Sequence, residues 1–486
     1  MKNKTMMTDF YELTMSQAYF DTNKHKEQVY FDVFFRTNPF QGGYGVMGGL
    51  DEIIEYIKNF KLSEEDIQYL REKNIYSEEF LDYLKDLKFE GDIYAVPNGT
   101  PIFPNEPVIT VKADVVMAQL IETAILTNFN HGTLVTTAAK RITNEAGNIP
   151  VMEFGARRAR GVDSAIEASK HAFVGGCVGT SNTEAGKRYD IPVMGTMAHA
   201  FISFFDSEYE AFLAYAKTHP NNSIFLVDTY DTLRSGIPNA IKVAKEYLIP
   251  NGYELKGIRI DSGDLAYLSK KARQMLDEAG LPNVKICLSN GLDEHTIGSL
   301  LKQGAVIDSI GAGDNIAAAK ERVNGVYKLV AVEKNEEAVP RIKVSDDAIK
   351  TINPGYKKLY RFYDKETGYA LGDVIALANE IIPIDGYTLM DPVDNWKTTD
   401  LKNYTVKELQ VPIFKQGKLL YKAPTLLEQQ QYCKEKMETL YPEVKRVTKP
   451  HGYYVDLTKK LLELKKQLIL ESRKQSEQNK QFKKVR

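Results

Sequence analysis

Polar residues able to do chemistry recur in this chain at one kind of place, immediately after short apolar runs. In order they are Glu153-Phe154-Gly155-Ala156-Arg157-Arg158, Gly179-Thr180-Ser181-Asn182, Thr196 with His199, and Asp228. Then follow Arg259 with Asp261-Ser262-Gly263-Asp264, Ser289-Asn290-Gly291, and Gly311-Ala312-Gly313-Asp314. Asp261 and Asp264 around Ser262-Gly263 suit ribose hydroxyls or Mg²⁺, an ion that takes one or two carboxylates plus substrate phosphates. Asp264 equally suits the positive end of the helix that follows. Gly179–Asn182 opens a helix, with Thr180 or Ser181 as N-cap or with free N–H groups that meet an anion. Gly311-Ala312-Gly313 reads as a tight turn or as a phosphate cradle. One of Arg157 and Arg158 is expected in an ordinary salt bridge. His199 is one of seven histidines; its place just past a strand end suits proton transfer, against a merely structural role.

The apolar runs predict the elements that carry these groups. Strands are expected at 150–154, 192–195, 223–228, 257–261, 284–289 and 308–311, with a weaker one at 176–179. Helices are expected between them at 163–173, 207–218, 237–248, 265–279 and 293–303. Seven strand–helix units without a break predict a parallel β/α barrel, with a doubly wound sheet as the alternative. In a barrel the functional groups gather at the C-terminal strand ends, where the residues above fall. Residues 50–90 read as short helices capped by Ser63 and Ser77, 91–111 as short antiparallel strands, and Val115 to Asn128 as a helix. The expected domains are an α+β domain at 1–130 rejoined by 326–425, the barrel at 131–325, and a helical C-terminal extension at 426–486. That extension carries a Leu457, Leu461, Leu464, Leu468 stripe and a basic end with Lys483, Lys484 and Arg486. It reads as a helix packed on the body with a solvated tail rather than a membrane-surface segment.

Composition excludes several function classes. Of 486 residues, 63 are Lys or Arg and 65 Asp or Glu, a net charge of −2. No global field therefore recruits nucleic acid or an anionic membrane, and an anionic substrate must be held by local groups. Cys177, Cys287 and Cys433 are too far apart for a zinc pair or a disulfide framework, which favours a reducing compartment. The opening MKNKTMMTDFYELTM lacks a signal-peptide core, and no apolar run is long enough to span a bilayer, so a cytoplasmic location is expected.

Six motifs in order carry a resemblance. TDFYELTM (8–15), MEFGARRA (152–159), GTSN (179–182), VMGTMAHAF (193–201), RIDSGDL (259–265) and DPVDNWK (391–397) together resemble the nicotinate phosphoribosyltransferases. These are type II phosphoribosyltransferases, whose fold is an irregular β/α barrel joined to a strand-rich domain. The resemblance implies formation of nicotinate mononucleotide and pyrophosphate from nicotinate and phosphoribosyl pyrophosphate (PRPP), with ATP hydrolysed through a phosphohistidine at His199. Mg²⁺ would accompany PRPP and ATP, with unassigned ligands, and the active sites would be shared across a homodimer. Residue by residue it implies that Thr196 and Phe154 contact nicotinate, with Tyr11 reaching in from the neighbouring subunit. Arg157 and Arg259 would meet the nicotinate carboxylate or the diphosphate, and Asp261 the ribose hydroxyls. Thr180, Ser262, Gly263, Ser289 and Asn290 complete the expected phosphate and ribose contacts, with Gly311 and Gly313 as the phosphate loop. Asp314 departs from the family, which has threonine there, and is expected to turn away from phosphate or to cap the next helix. Nicotinamide phosphoribosyltransferases, the nearest alternative, carry aspartate where this chain has Ser181, so nicotinate is favoured. A β/α-barrel lyase or isomerase acting on a phosphorylated substrate is the alternative that the strand-end residues alone would permit.

Overall fold

The computed structural model describes residues 4–344, 351–391 and 396–484, without the side chains of 475–484. Residues 392–395 of the DPVDNWK motif, Arg486, and the Lys483 and Lys484 side chains lie outside the described residues. The chain forms two compact units, Met1–Leu134 with Glu321–Arg486, and Val135–Lys320.

The second unit carries a parallel sheet built from Val151–Glu153, Gly179–Thr180, Ile224–Leu226, Gly257–Ile260, Lys285–Leu288 and Ser309–Ala312. Adjacent strands pair in chain order from Ile224–Leu226 to Ser309–Ala312, and this last strand then pairs back to the first, Ile310 opposite Val151. These runs are apolar because helices cover a parallel sheet on its faces. Phe225 stacks on Phe212 of the helix Glu208–Thr218 with ring centroids 4.7 Å apart, and both rings are fully buried. Each such burial contributes about 1.5–3 kcal/mol.

Two expectations change here. The strand at 192–195 reduces to a single bridge between Val193 and Thr180. Pro192 has no N–H to extend a ladder, and the Pro192 and Val193 side chains are exposed, so little burial rewards a longer strand. The helix expected at 237–248 is α-helical over Ile237–Val243 and widens to π-type turns over Ala244–Leu248. The other expected helices form as Val162–Val174, Glu208–Thr218, Leu265–Glu278 and Glu294–Lys302.

The first unit holds an antiparallel sheet in which the interior strand Gln28–Phe35 pairs with Ile109–Asp114 on one side and Gly325–Lys334 on the other. Seven of its eight residues are buried, including Asp32, whose charge is met by the equally buried Lys357 at 2.8 Å. Ser63 and Ser77 cap the helices Glu64–Glu72 and Glu78–Asp86, Ser63 in a reciprocal capping box with Asp66. The helix expected from Val115 to Asn128 forms as two, Val115–Leu120 and Glu122–Ala146, the second running past Asn128 with Phe129, Val135, Ala138, Ala139 and Ile142 extending its buried face.

Residues 426–486, expected as a separate extension, fall within the first unit. The strand Val455–Leu457 pairs in parallel with Ala370–Leu377, so Leu457 lies in a strand, and the last helix begins at Lys459 with Leu461 and Leu462 buried in the core. Burial of those leucines, together with Cys433 packed against Gly99, ties the segment to the body. Among the described residues no helix is long and apolar enough to cross a membrane.

Candidate functional site

Parallel strands present all their C-terminal ends at one edge of a sheet, so residues that close successive strands become neighbours however far apart they are in sequence. Arg259, in the strand Gly257–Ile260, is the hub of this edge. Its guanidinium donates to Ser289 Oγ at 2.8 Å, Asp261 Oδ1 at 3.0 Å and Thr196 Oγ1 at 3.3 Å. It also lies over the Phe154 ring, 5.6 Å from the centroid. Ser289 in turn donates to Asp261. The chain reverses at once after Ser289, through Asn290 and Gly291 at φ 105° and 58°, and Gly263 turns the preceding loop at φ 77°.

His199 begins the helix His199–Phe204. Its Nε2 stands 3.9 Å from Asp261 Oδ2 and 4.0 Å from Asp228 Oδ1, and its Nδ1 is 3.1 Å from Thr229 Oγ1. Asp228 receives Ser262 Oγ at 2.5 Å and the Asp261 N–H at 3.0 Å. One carboxylate thus holds the loop that carries the other.

Phe154 is seated from behind. Its N–H donates to Ala312 O at 2.7 Å, and its ring lies where a side chain on Gly311 would be. Beside it the buried Glu153 accepts from the Gly155 N–H, from Thr180 Oγ1 at 2.6 Å and from Ser169 Oγ at 3.0 Å. Burial pushes this carboxyl up from the ordinary range, and those three hydrogen bonds pull it down.

The structure therefore brings together Phe154, Thr196, His199, Arg259, Asp261, Ser262 and Ser289. Gly311 and Gly313 both pack on Phe154, Gly313 with its Cβ position 2.8 Å from the Phe154 carbonyl. Asp314 turns to Arg158, with Nε 3.2 Å from Oδ1, so the arginine of the pair in an ordinary ion pair is Arg158, while Arg157 is exposed. Asp264 caps the helix Leu265–Glu278 through the Tyr267 N–H. Neither Thr180 nor Ser181 caps the helix Thr183–Tyr189; Asn182 does, accepting from the Ala185 N–H. Thr180 is buried on Glu153 and Ser181 is exposed, which leaves Asn182 with the extended backbone that a cap needs. Tyr11 belongs to the first unit, on the helix Phe10–Asp21.

Thr229 was not singled out by sequence reasoning, and Glu153 and Asp228 appeared there as strand-end carboxylates without a role. The signal for Thr229 was a hydroxyl directly after Asp228. The role of Glu153 was not legible, because two of its partners, Ser169 and Thr180, come from other elements. An open groove of about 380 Å³ lies to one side, lined by Ala156, Val162, Ile166, Asn182 and Glu184. It contains none of His199, Arg259 or Asp261. Among the described residues no group of three or more His, Cys, Asp or Glu is arranged to hold a metal ion.

Comparison with known proteins matches the chain in three stretches. Residues 6–130 match the nicotinate phosphoribosyltransferase (NAPRTase) N-terminal domain, 149–374 the nicotinate phosphoribosyltransferase (NAPRTase) family, and 356–465 the nicotinate phosphoribosyltransferase C-terminal domain. The chain is similar to a nicotinate phosphoribosyltransferase of Bacillus subtilis, 43% identical over 477 residues, covering 98% of this chain and 97% of that one. A human nicotinate phosphoribosyltransferase is 30% identical over 522 residues, covering 94% of this chain and 95% of the relative. The crystal structure of human nicotinic acid phosphoribosyltransferase superposes with a TM-score of 0.84 at 28% identity, over 95% of this chain and 99% of that one. In fold alone, the chain also resembles a nicotinate-nucleotide pyrophosphorylase of Pyrococcus furiosus, at a TM-score of 0.70, 24% identity and coverage of 90% and 96%.

Proposed function

Because this chain belongs to the nicotinate phosphoribosyltransferase family and is an enzyme, we propose that its strand-end cluster joins nicotinate to PRPP in NAD biosynthesis, coupled to ATP through His199. The observation that carries this reading is the position of Arg259, which holds Thr196, Asp261 and Ser289 together and faces the Phe154 ring.

A planar anionic ring fits this arrangement. Phe154 offers a face for stacking, Thr196 a hydroxyl, and the fixed guanidinium a planar partner for a carboxylate or phosphate. The pyridine nitrogen attacks C1 of the ribosyl group as the C1–O bond breaks, and pyrophosphate leaves with the bonding electrons. The positive charge developing on the sugar resembles that of glycoside cleavage. No strong base is needed, so the residues orient the reactants and stabilise charge, with Asp261 beside the ribose hydroxyls. Ser181 puts no carboxylate near the ring substituent, which favours nicotinate over nicotinamide.

Mg²⁺ would enter on the phosphates of PRPP and ATP and neutralise the leaving group. The residues fit such an ion, because Asp228 Oδ1 is buried without a hydrogen-bond donor and the Asp261 carboxylate faces the same His199 Nε2 as it does. The return pairing of the last parallel strand with the first supports a closed barrel. Three buried cysteines, none of them in a disulfide, support a cytoplasmic location. Tyr11, nearly half exposed on its helix, supports a homodimer in which it completes the partner's site.

The direct test is pyrophosphate release from PRPP and Mg²⁺ with nicotinate, nicotinamide or quinolinate, each with and without ATP. The proposal expects turnover with nicotinate, stimulated by ATP. Equal or faster turnover with nicotinamide would replace it.

A further inference from the structure

The His199 imidazole is gripped on one nitrogen and merely faced on the other. Nδ1 lies 3.1 Å from Thr229 Oγ1. Nε2 faces Asp261 Oδ2 at 3.9 Å and Asp228 Oδ1 at 4.0 Å, beyond hydrogen-bond length.

The two carboxylates are oriented by other groups. Asp228 uses Oδ2 for the Asp261 N–H and the Ser262 hydroxyl, while its Oδ1 is buried with no donor. Asp261 uses Oδ1 for Arg259 and Ser289, leaving Oδ2 on the side of the imidazole. Each aspartate thus turns its less occupied oxygen toward Nε2. A neutral imidazole carries one N–H, and the hydrogen bond at one nitrogen decides where it sits. With the proton on Nε2 it points at two acceptors; with the proton on Nδ1, the Nε2 lone pair would face two carboxylates. A threonine hydroxyl can donate or accept, so the first arrangement is favoured: Thr229 donates to Nδ1, and the two carboxylates face an N–H rather than a lone pair. The β-branch of Thr229 restricts the rotation of that hydroxyl.

We propose that Thr229 is a positioning residue for His199: its hydroxyl donates to Nδ1, fixes the ring as the Nε2–H tautomer, and aims that N–H at Asp228 and Asp261. The role deepens the reading of His199 as the group that ATP phosphorylates, and rests on it for its catalytic consequence. With the proton on Nε2, the Nδ1 lone pair is the nucleophile, released by the Thr229 hydroxyl as it bonds to the γ-phosphorus, and ADP leaves with the electrons of the broken P–O bond. The tautomer itself does not depend on ATP.

The test uses full-length protein labelled with ¹⁵N-histidine, read by long-range ¹H–¹⁵N correlation, with the His199 signals identified by their loss in His199→Asn. Wild type should show a protonated Nε2 and an unprotonated, hydrogen-bonded Nδ1 at His199. Thr229→Val, which keeps the shape and removes the hydroxyl, should give mixed tautomers, as should Thr229→Ala if the valine variant fails to fold. Thr229→Ser should restore the wild-type pattern. The ratio of nicotinate transfer with ATP to transfer without it should fall roughly tenfold in Thr229→Val, the effect of losing one net hydrogen bond, and recover in Thr229→Ser. Unchanged His199 signals in Thr229→Val, or no recovery with serine, would overturn the assignment. If the tautomer responds as stated but wild-type His199 takes no phosphate from ATP, the phosphohistidine reading fails and the positioning role stands.

Discussion

Gly311 has no room for a side chain because the ring of Phe154 occupies it: a Cβ there would stand 2.6 Å from both Cδ2 and Cε2 of that ring. Its φ is not in the left-handed region, so the requirement for glycine comes from packing rather than from a turn. Gly311→Ala should push the Phe154 ring away from Gly311, raising KM for nicotinate about tenfold and KM for PRPP far less. Steady-state kinetics with each substrate varied separates this from a phosphate cradle, for which the PRPP constant would move instead.

His199→Ala should abolish ATP hydrolysis and ATP stimulation while slow transfer of phosphoribose to nicotinate persists. After exposure to ATP, mass spectrometry under neutral conditions should find an acid-labile phosphate on the wild type only. Full ATP stimulation in the variant would remove His199 from the coupling step.

Ser181 is exposed next to the Thr180–Glu153 anchor. Ser181→Asp would set a carboxylate near that of nicotinate, and nicotinate affinity should drop by at least roughly tenfold, about 1.4 kcal/mol. Nicotinamide should lose less or gain. Equal losses for the two ligands in binding titrations would show that position 181 does not face the ring substituent.

Glu12 is fully buried beside Thr123 and Thr8, and loss of water pushes its carboxyl up to about 7, against the pull of those hydroxyls. The fold therefore favours the protonated form. Its contribution to stability is full below about 4.5, the ordinary value, and is lost as pH rises through about 7. Between about pH 5 and about pH 8 the thermal midpoint should fall in wild type, and Glu12→Gln should remove about 3 °C of that fall. Parallel midpoint curves for the two proteins would show that Glu12 does not titrate in this window.

Tyr11 and Asp261 offer a test of site sharing. Tyr11→Ala and Asp261→Ala should each be nearly inactive. Refolded together in equal amounts, half of the dimers are mixed, and each mixed dimer rebuilds one intact site, restoring roughly a quarter of wild-type activity. No recovery on mixing would place both residues in the site of one subunit.

What the sequence by itself determined is local. Apolar runs between polar turns marked five of the six parallel strands, and Ser63 and Ser77 were legible as caps, with Asp264 as a helix-start charge, because such contacts reach only two or three residues away. The rule that function gathers at strand ends then placed Thr196, His199, Arg259, Asp261 and Ser289 in one set. Tertiary structure alone decided which of them touch. Arg259 meets Thr196, 63 residues away, Asp228 carries the Asp261 loop from 33 residues away, and Glu153 joins residues from three elements. It also moved the cap from Thr180 to Asn182, since Thr180 found a buried carboxylate, and it gave Gly311 its neighbour in Phe154. Propensities and caps act within a turn or two of the chain. Contacts across 30 or more residues depend on which strands lie side by side, and that order follows from burying the whole sheet at once.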